Sequence, residues 1–204
     1  MQDLQQSDSN AEFHLVHFYE PSQFPAEPIA NFLNQGLSQG EAAILIASQD
    51  HNAQIESKME ELGWNCADLR EVGLLEVTDM EGMLGAFEAG TSIVKIVEQL
   101  IDVTIRPAQQ RSPCKRIRIY GELEDALLTR LRNAEAALTV ERYGNRLASE
   151  GAAKIYCGYS TNAFPDASYA RPFIKLCQLH DRVHNGLNDR DDWRFQMAEK
   201  MSSL

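Results

Sequence analysis

PIANFLNQGLSQGEAAILIAS, residues 28–48, decides the fold. Ile29, Phe32, Leu33, Gly36 and Leu37 recur at helical spacing, and Gly40 closes the segment, so the pattern predicts an amphipathic helix. The run that follows, 42–47 (AAILIA), is short, continuous and apolar. Such a run suits a strand covered on both faces, which is the condition of strands in a parallel sheet with helices on either side.

Working outward, the same two periods alternate along the chain. Residues 13–19 (FHLVHFY) read as a first strand ended by Glu20-Pro21. Asp50 or Asn52 can cap a helix carrying Ile55, Met59 and Leu62, which Gly63 stops. Residues 73–78 (GLLEVT) are a third strand, followed by a short helix over 80–87 and a longer one over 91–105. A Pro-containing loop at 106–114 leads to a fourth strand at 115–120 (KRIRIY). Two helices, 122–131 and 133–150, precede a fifth strand at 155–159. A last major helix spans 172–187, and Trp193, Met197 and Met201 lie at helical spacing on a polar tail. An exposed Trp–Met stripe would be sticky, so the tail is expected to dock on the body or on a second copy. Repeated strand–helix units with right-handed crossovers predict an α/β fold, a three-layer α/β/α sandwich with a mainly parallel sheet. The expected organisation is a flexible segment at 1–12, one domain at 13–187, and a polar tail or short helix at 188–204.

Composition narrows the function. The 204 residues carry 30 acidic against 19 basic side chains, a formal net charge of −11. That balance opposes direct nucleic-acid binding, which relies on Lys and Arg neutralising phosphates, and opposes docking on anionic membranes. No apolar run approaches the ~20 residues of a membrane span, and the polar start lacks a secretory pattern, so a cytoplasmic setting is expected. Cys66, Cys114, Cys157 and Cys177 are scattered and expected as free thiols, with Cys157 and Cys177 packing as small hydrophobes.

Ligands of open parallel sheets bind outside the carboxyl ends of the strands. Here those ends are Tyr19-Glu20, Ser48-Gln49, Thr78-Asp79, Gly121-Glu122 and Tyr159-Ser160. Each is also polar simply because it leads into a solvated turn. Glu122 stands in the first turn of a helix, either as a partner of the helix dipole or as a ligand contact or general base. His17 lies mid-strand among apolar residues, either as a hydrogen-bonded core histidine or as a functional one. Phosphate loops, dinucleotide fingerprints and nucleophile elbows are missing, and residues 20–28 (EPSQFPAEP) lack the glycines and positive charge that cradle phosphate. No catalytic residue is assigned. Cys177, His180 and His184 fall on one face of the expected closing helix, but Phe173, Leu176, Val183 and Leu187 make it the core-facing stripe. With no fourth ligand evident, no metal or cofactor is assigned. Arg106, Arg111, Lys115, Arg116 and Arg118 form a basic concentration, read as a solvated loop or an anion site, with the strand arginines facing Glu122 or Glu124.

The stretch 14–48, starting HLVHFYEPSQF, resembles the start of the MEDS sensory domains, named for methanogen and methylotroph regulators and the repressor DcmR. FLNQGLSQGEAAILIAS also resembles the helix-to-strand unit of RecA-like ATPases of the KaiC type. RIYGELEDALL (118–128), LTVERYGNRLASEGAAKIYCGYS (138–160) and FIKLCQLHDRV (173–183) follow in the family's order. The resemblance implies a RecA-like sandwich that has lost its phosphate loop, and a sensory role beside a histidine kinase or DNA-binding module. It points to Tyr19, Glu20, Glu122 and Tyr159 at strand ends and to His180 in the closing helix. The chain shows no kinase core and no basic helix-turn-helix, so signalling through a partner protein is expected, with a homodimer possible.

The leading expectation is a non-catalytic sensor binding a small molecule through His17, Tyr19, Glu20, Ser48, Asp79, Glu122, Tyr159 and His180. An acidic rim favours a neutral or cationic ligand. The alternatives are a divergent nucleotide-binding protein or ATPase-like enzyme, and an interaction scaffold with a vestigial cleft.

Overall fold

Alternate side chains of the 42–47 run enter two different cores. Ala42, Ile44 and Ile46 join one apolar cluster, while Ala43, Leu45 and Ala47 join the other. That is why the segment is apolar at every position rather than at every second one. The computed structural model describes residues 13–151 and 153–202; the expected flexible segment at 1–12 lies outside them.

The strands are β1 (His14–Tyr19), β2 (Ala42–Ile46), β3 (Leu75–Val77), β4 (Ile117–Gly121), β5 (Ala153–Ser160) and β6 (Arg182–Gly186). They form one sheet in the order β3-β2-β4-β5-β1-β6, and every pairing is parallel. From β1 to β3 the chain moves toward one edge, and from β3 to β6 it moves back. Right-handed crossovers therefore put the early and late helices on opposite faces. Ile29 and Leu33 of α1 (Ala26–Leu37), Ile55 and Met59 of α2 (Gln49–Glu61), and Cys66 and Leu69 of α3 (Cys66–Glu71) cover one face. The other is covered by α4 (Met80–Glu88), α5 (Ile93–Leu100), α6 (Arg106–Arg111), α7 (Leu123–Thr129), α8 (Ala134–Ser149), α9 (Ala170–Cys177) and α10 (Trp193–Ser202). The architecture is the expected α/β/α sandwich.

Four local expectations need correction. Residues 106–111 are helix α6, not loop: a π-helical turn (Ile101–Ile105) carries the chain from α5 into α6, whose first turn holds Pro107. Proline supplies no N–H to the preceding turn, so the ladder shifts register there instead of ending. α3 was not anticipated; Asn65 caps it by accepting from the Ala67 and Asp68 N–H groups. α2 is capped by Ser48, whose Oγ accepts from His51 N–H at 3.2 Å, while Asn52 lies inside the helix. The expected closing helix 172–187 is two elements, with α9 ending at Cys177 and β6 beginning at Arg182. The break is held by Asp181, whose carboxylate accepts from the Phe13 and His14 N–H groups at 2.9 and 3.0 Å. Cys177, His180 and His184 therefore do not share a helix face.

The arginines of the basic concentration are taken up by ion pairs, while Lys115 Nζ donates to Gln110 O at 2.5 Å. Arg106 bonds Asp102 and Arg111 bonds Glu76. Arg118 turns away from Glu122 and Glu124 into the α1 face. There its Nε donates to Glu41 Oε2 at 2.7 Å and its guanidinium lies over the Phe32 ring. Gly36 makes this approach possible, since a Cβ there would stand 2.6 Å from the Arg118 side chain. The tail docks on the body: Trp193 meets Phe173 edge-on, and Met197 and Met201 pack against the larger core.

Candidate ligand site at the carboxyl edge of the sheet

The β4 backbone runs on past Gly121, with Glu122 N–H donating to Ile46 O at 2.9 Å. This sets the Glu122 side chain between the ends of β1, β2 and β4, where it is 4% exposed. Its Oε1 accepts from Tyr120 OH at 2.6 Å and from Tyr19 OH at 3.3 Å. His51 Nδ1 lies 2.8 Å from both carboxylate oxygens. Facing only acceptors, that nitrogen carries the proton. The Phe24 ring, from the loop after β1, stacks on His51 at 3.7 Å with planes 6° apart. Tyr120 reaches Glu122 because Gly158 leaves room; a Cβ at 158 would sit 2.3 Å from the phenol oxygen.

The end of β5 joins through α7. Asp125 Oδ1 accepts from Ser160 N–H at 2.8 Å and Ser160 Oγ–H at 3.0 Å. Glu20 Oε2 accepts from Thr161 Oγ1–H at 3.2 Å. Burial pushes the Asp125 carboxyl up to about 7, with Glu122 adding to the rise. It also pushes the Tyr19 and Tyr120 phenols upward, so both stay neutral donors. Burial alone would lower His51, but its bond to Glu122 and the charges of Glu122, Asp125 and Asp50 raise it above 6.5.

The sign of that shift makes a prediction. A histidine raised in the folded state contributes stability that is fully present below pH 6.5 and is lost as pH rises through its folded pKa. Titration of the His51 ring by NMR is expected to give a midpoint above 6.5, and Glu122→Gln is expected to lower it. A midpoint that does not move would show that Glu122 does not hold the proton.

Two recesses open on either side of the end of β3. One, of about 580 Å³, lies between the ends of β2 and β3 and is walled by Gln49, Asn52, Ala53, Glu56, Arg70 and Asp79. The other, of about 380 Å³, lies between β3, α4 and α5 and also touches Asp79. Asp79 Oδ1 caps α4 by accepting from Gly82 N–H at 2.9 Å. Asn52 Nδ2 donates to Ala47 O at 3.1 Å, while its buried Oδ1 has no hydrogen-bond partner among the described residues. Asn52 and His51 are consecutive, so one turn of α2 joins the recess to the Glu122 network.

The candidate residues thus divide among separate places. Tyr19, Glu20, Ser48 and Glu122 converge at the edge, and Asp79 borders both recesses. His17 points to the α1 side, with Nδ1 2.6 Å from Tyr156 OH and its ring 5.9 Å from that of His184; burial lowers it to about 4. Tyr159 and His180 lie in the opposite core, beside Glu141. His51, Phe24, Tyr120 and Asp125 were not singled out from the sequence. The carboxyl-end rule would have reached His51 had it been extended one turn into the helix after β2.

The structure is an open, all-parallel α/β/α sandwich with polar side chains gathered at the carboxyl edge of its sheet. Residues 13–180 match the family model MEDS, the methanogen/methylotroph, DcmR sensory domain. The chain belongs to this sensory-domain family. No curated protein and no solved structure matches it. Among the described residues, no helix is long and apolar enough to cross a membrane.

Proposed function

We propose that this chain is the non-catalytic input domain of a cytoplasmic signalling system. A small neutral or cationic molecule binds in the recess between the ends of β2 and β3, and occupancy is reported to a partner such as a histidine kinase or transcription regulator. The observation that carries this reading is the roughly 580 Å³ opening itself, at the strand ends, with Glu56, Asp79 and Glu81 against Arg70 on its walls. Glu56 is paired with Arg70 and Glu81 with Arg130, so Asp79 is the wall carboxylate outside an ion pair among the described residues, and its charge disfavours an anion. A route out of the recess supports the sensory half of the reading. A ligand against Asn52 and Ala53 bears on the first turn of α2, and that turn carries His51, stacked on the loop after β1. Shifting this contact alters the surface offered to a partner.

The test uses a collection of small amines, alcohols and amides in thermal-shift assays. A binder is expected to raise the melting temperature of the wild-type chain. Ala53→Trp, on the exposed wall of the recess, should abolish that rise while moving the ligand-free midpoint by no more than about 2 °C. A rise that survives Ala53→Trp, or no rise with any compound, overturns the assignment.

A further inference from the structure

Glu141 of α8 is wholly buried, in the core opposite the α1 face, and two histidines and a cysteine surround it. His14 comes from the start of β1, Cys157 from the middle of β5, and His180 from the turn before β6. His14 Nε2 and His180 Nε2 each lie 3.3 Å from Glu141 Oε2. Cys157 Sγ is 3.4 Å from His14 Nε2 and 3.8 Å from the same carboxylate oxygen. All four atoms lie within 4.8 Å of one another.

One buried nitrogen of this arrangement has no hydrogen-bond partner among the described residues. His14 Nδ1 lies 3.0 Å from Leu179 O and His180 Nδ1 lies 2.8 Å from Leu176 O. A carbonyl oxygen only accepts, so both Nδ1 atoms carry hydrogen and both neutral rings turn an Nε2 lone pair toward the carboxylate. His180 Nε2, with a side chain 0% exposed, accordingly makes no hydrogen bond among the described residues.

We infer that His14, Glu141, Cys157 and His180 form a closed, four-coordinate site for a divalent zinc ion. Metal–ligand bonds of ~2.0–2.3 Å in a tetrahedron require ligand atoms ~3.3–3.8 Å apart, the spacing seen in the four close pairs. Mixed nitrogen, thiolate and carboxylate donors suit zinc. Charge agrees: one thiolate and one carboxylate neutralise a divalent ion, leaving no net charge in the core. On binding, Cys157 loses its thiol proton to solvent and its sulfur donates to the ion. The outer contacts are those that orient metal-bound groups. Each histidine gives its other N–H to a backbone carbonyl, and Tyr159 OH donates to Glu141 Oε1 at 2.5 Å, leaving Oε2 for the metal. With four protein ligands and no open position, the ion ties β1, β5, α8 and the β6 turn together. It is a structural site.

The experiment compares full-length protein stripped by chelator with the same protein given one equivalent of Zn²⁺ or Co²⁺. One ion per chain is expected to bind, with a higher melting temperature for the zinc form. The cobalt form should show tetrahedral visible bands and a near-ultraviolet thiolate charge-transfer band. Cys157→Ala, a small change in a buried position, should remove the thiolate band and weaken binding by more than ~100-fold, beyond the loss typical of outer-shell changes. Cys177→Ala, at the neighbouring buried thiol, should retain both. Circular dichroism of the stripped variants separates loss of metal from loss of fold. Stripped and zinc-supplemented wild type with equal midpoints and no stoichiometric ion would overturn the site. So would a cobalt spectrum unchanged by Cys157→Ala.

Discussion

Arg118→Met is expected to destabilise the fold by about 3–5 kcal/mol, because it leaves the Glu41 carboxylate uncompensated in the interior. The two side chains are 4% and 2% exposed. Arg118 Nε donates to Glu41 Oε2 at 2.7 Å, and Nη1 donates to Phe32 O at 2.9 Å. Arg116, itself half-exposed, approaches the other Glu41 oxygen only at 3.5 Å and does not replace the lost partner. Since removing both charges can be neutral where removing one is costly, adding Glu41→Leu to Arg118→Met should recover most of the loss. Urea unfolding of the two single variants and the double variant measures this. A loss below about 1 kcal/mol for Arg118→Met would mean that water reaches Glu41 and the pair is not a buried one.

Phe173→Ala is expected to cost a similar ~3–5 kcal/mol through the cavity it leaves. Phe173 is fully buried. Its ring stacks on Phe18 with centroids 4.4 Å apart and meets Phe164 at 5.0 Å and Trp193 at 5.5 Å. It touches the aromatic rings of β1 and of the turn after β5, and it joins Trp193 of α10 to them. The variant should therefore do more than lower the midpoint. In a Trp64→Phe background, Trp193 emission should move to the red as its ring loses its partner and meets water. Destabilisation without that change would place the docking of α10 on Met197 and Met201 instead.

Elements whose pattern is local were legible in the sequence. The unbroken run in β2 and the helical stripes of α1 and α8 each state their burial within a few residues. Elements defined by a distant partner were not. β6 carries His184 at helical spacing from Cys177, and only its pairing with β1, His17 opposite His184, makes it a strand. The basic stretch around Arg118 read as a surface because Glu41 lies far off in sequence. At the carboxyl edge, Tyr19, Glu20, Ser48 and Glu122 could be nominated because the strand-end rule is local. His51 gains its place only when α2 packs beside Glu122.

The sequence on its own establishes a parallel α/β sandwich of the MEDS kind, with an acidic edge and no phosphate loop. Side-chain period and turn chemistry act over short stretches of chain, and they suffice for that much. Only the tertiary structure decided which polar groups meet. It separated Tyr159 and His180 from the edge and set them with His14, Glu141 and Cys157 around a single buried point. Residues so far apart along the chain carry no shared local pattern, and their convergence exists only once β1, β5, α8 and the turn before β6 have packed.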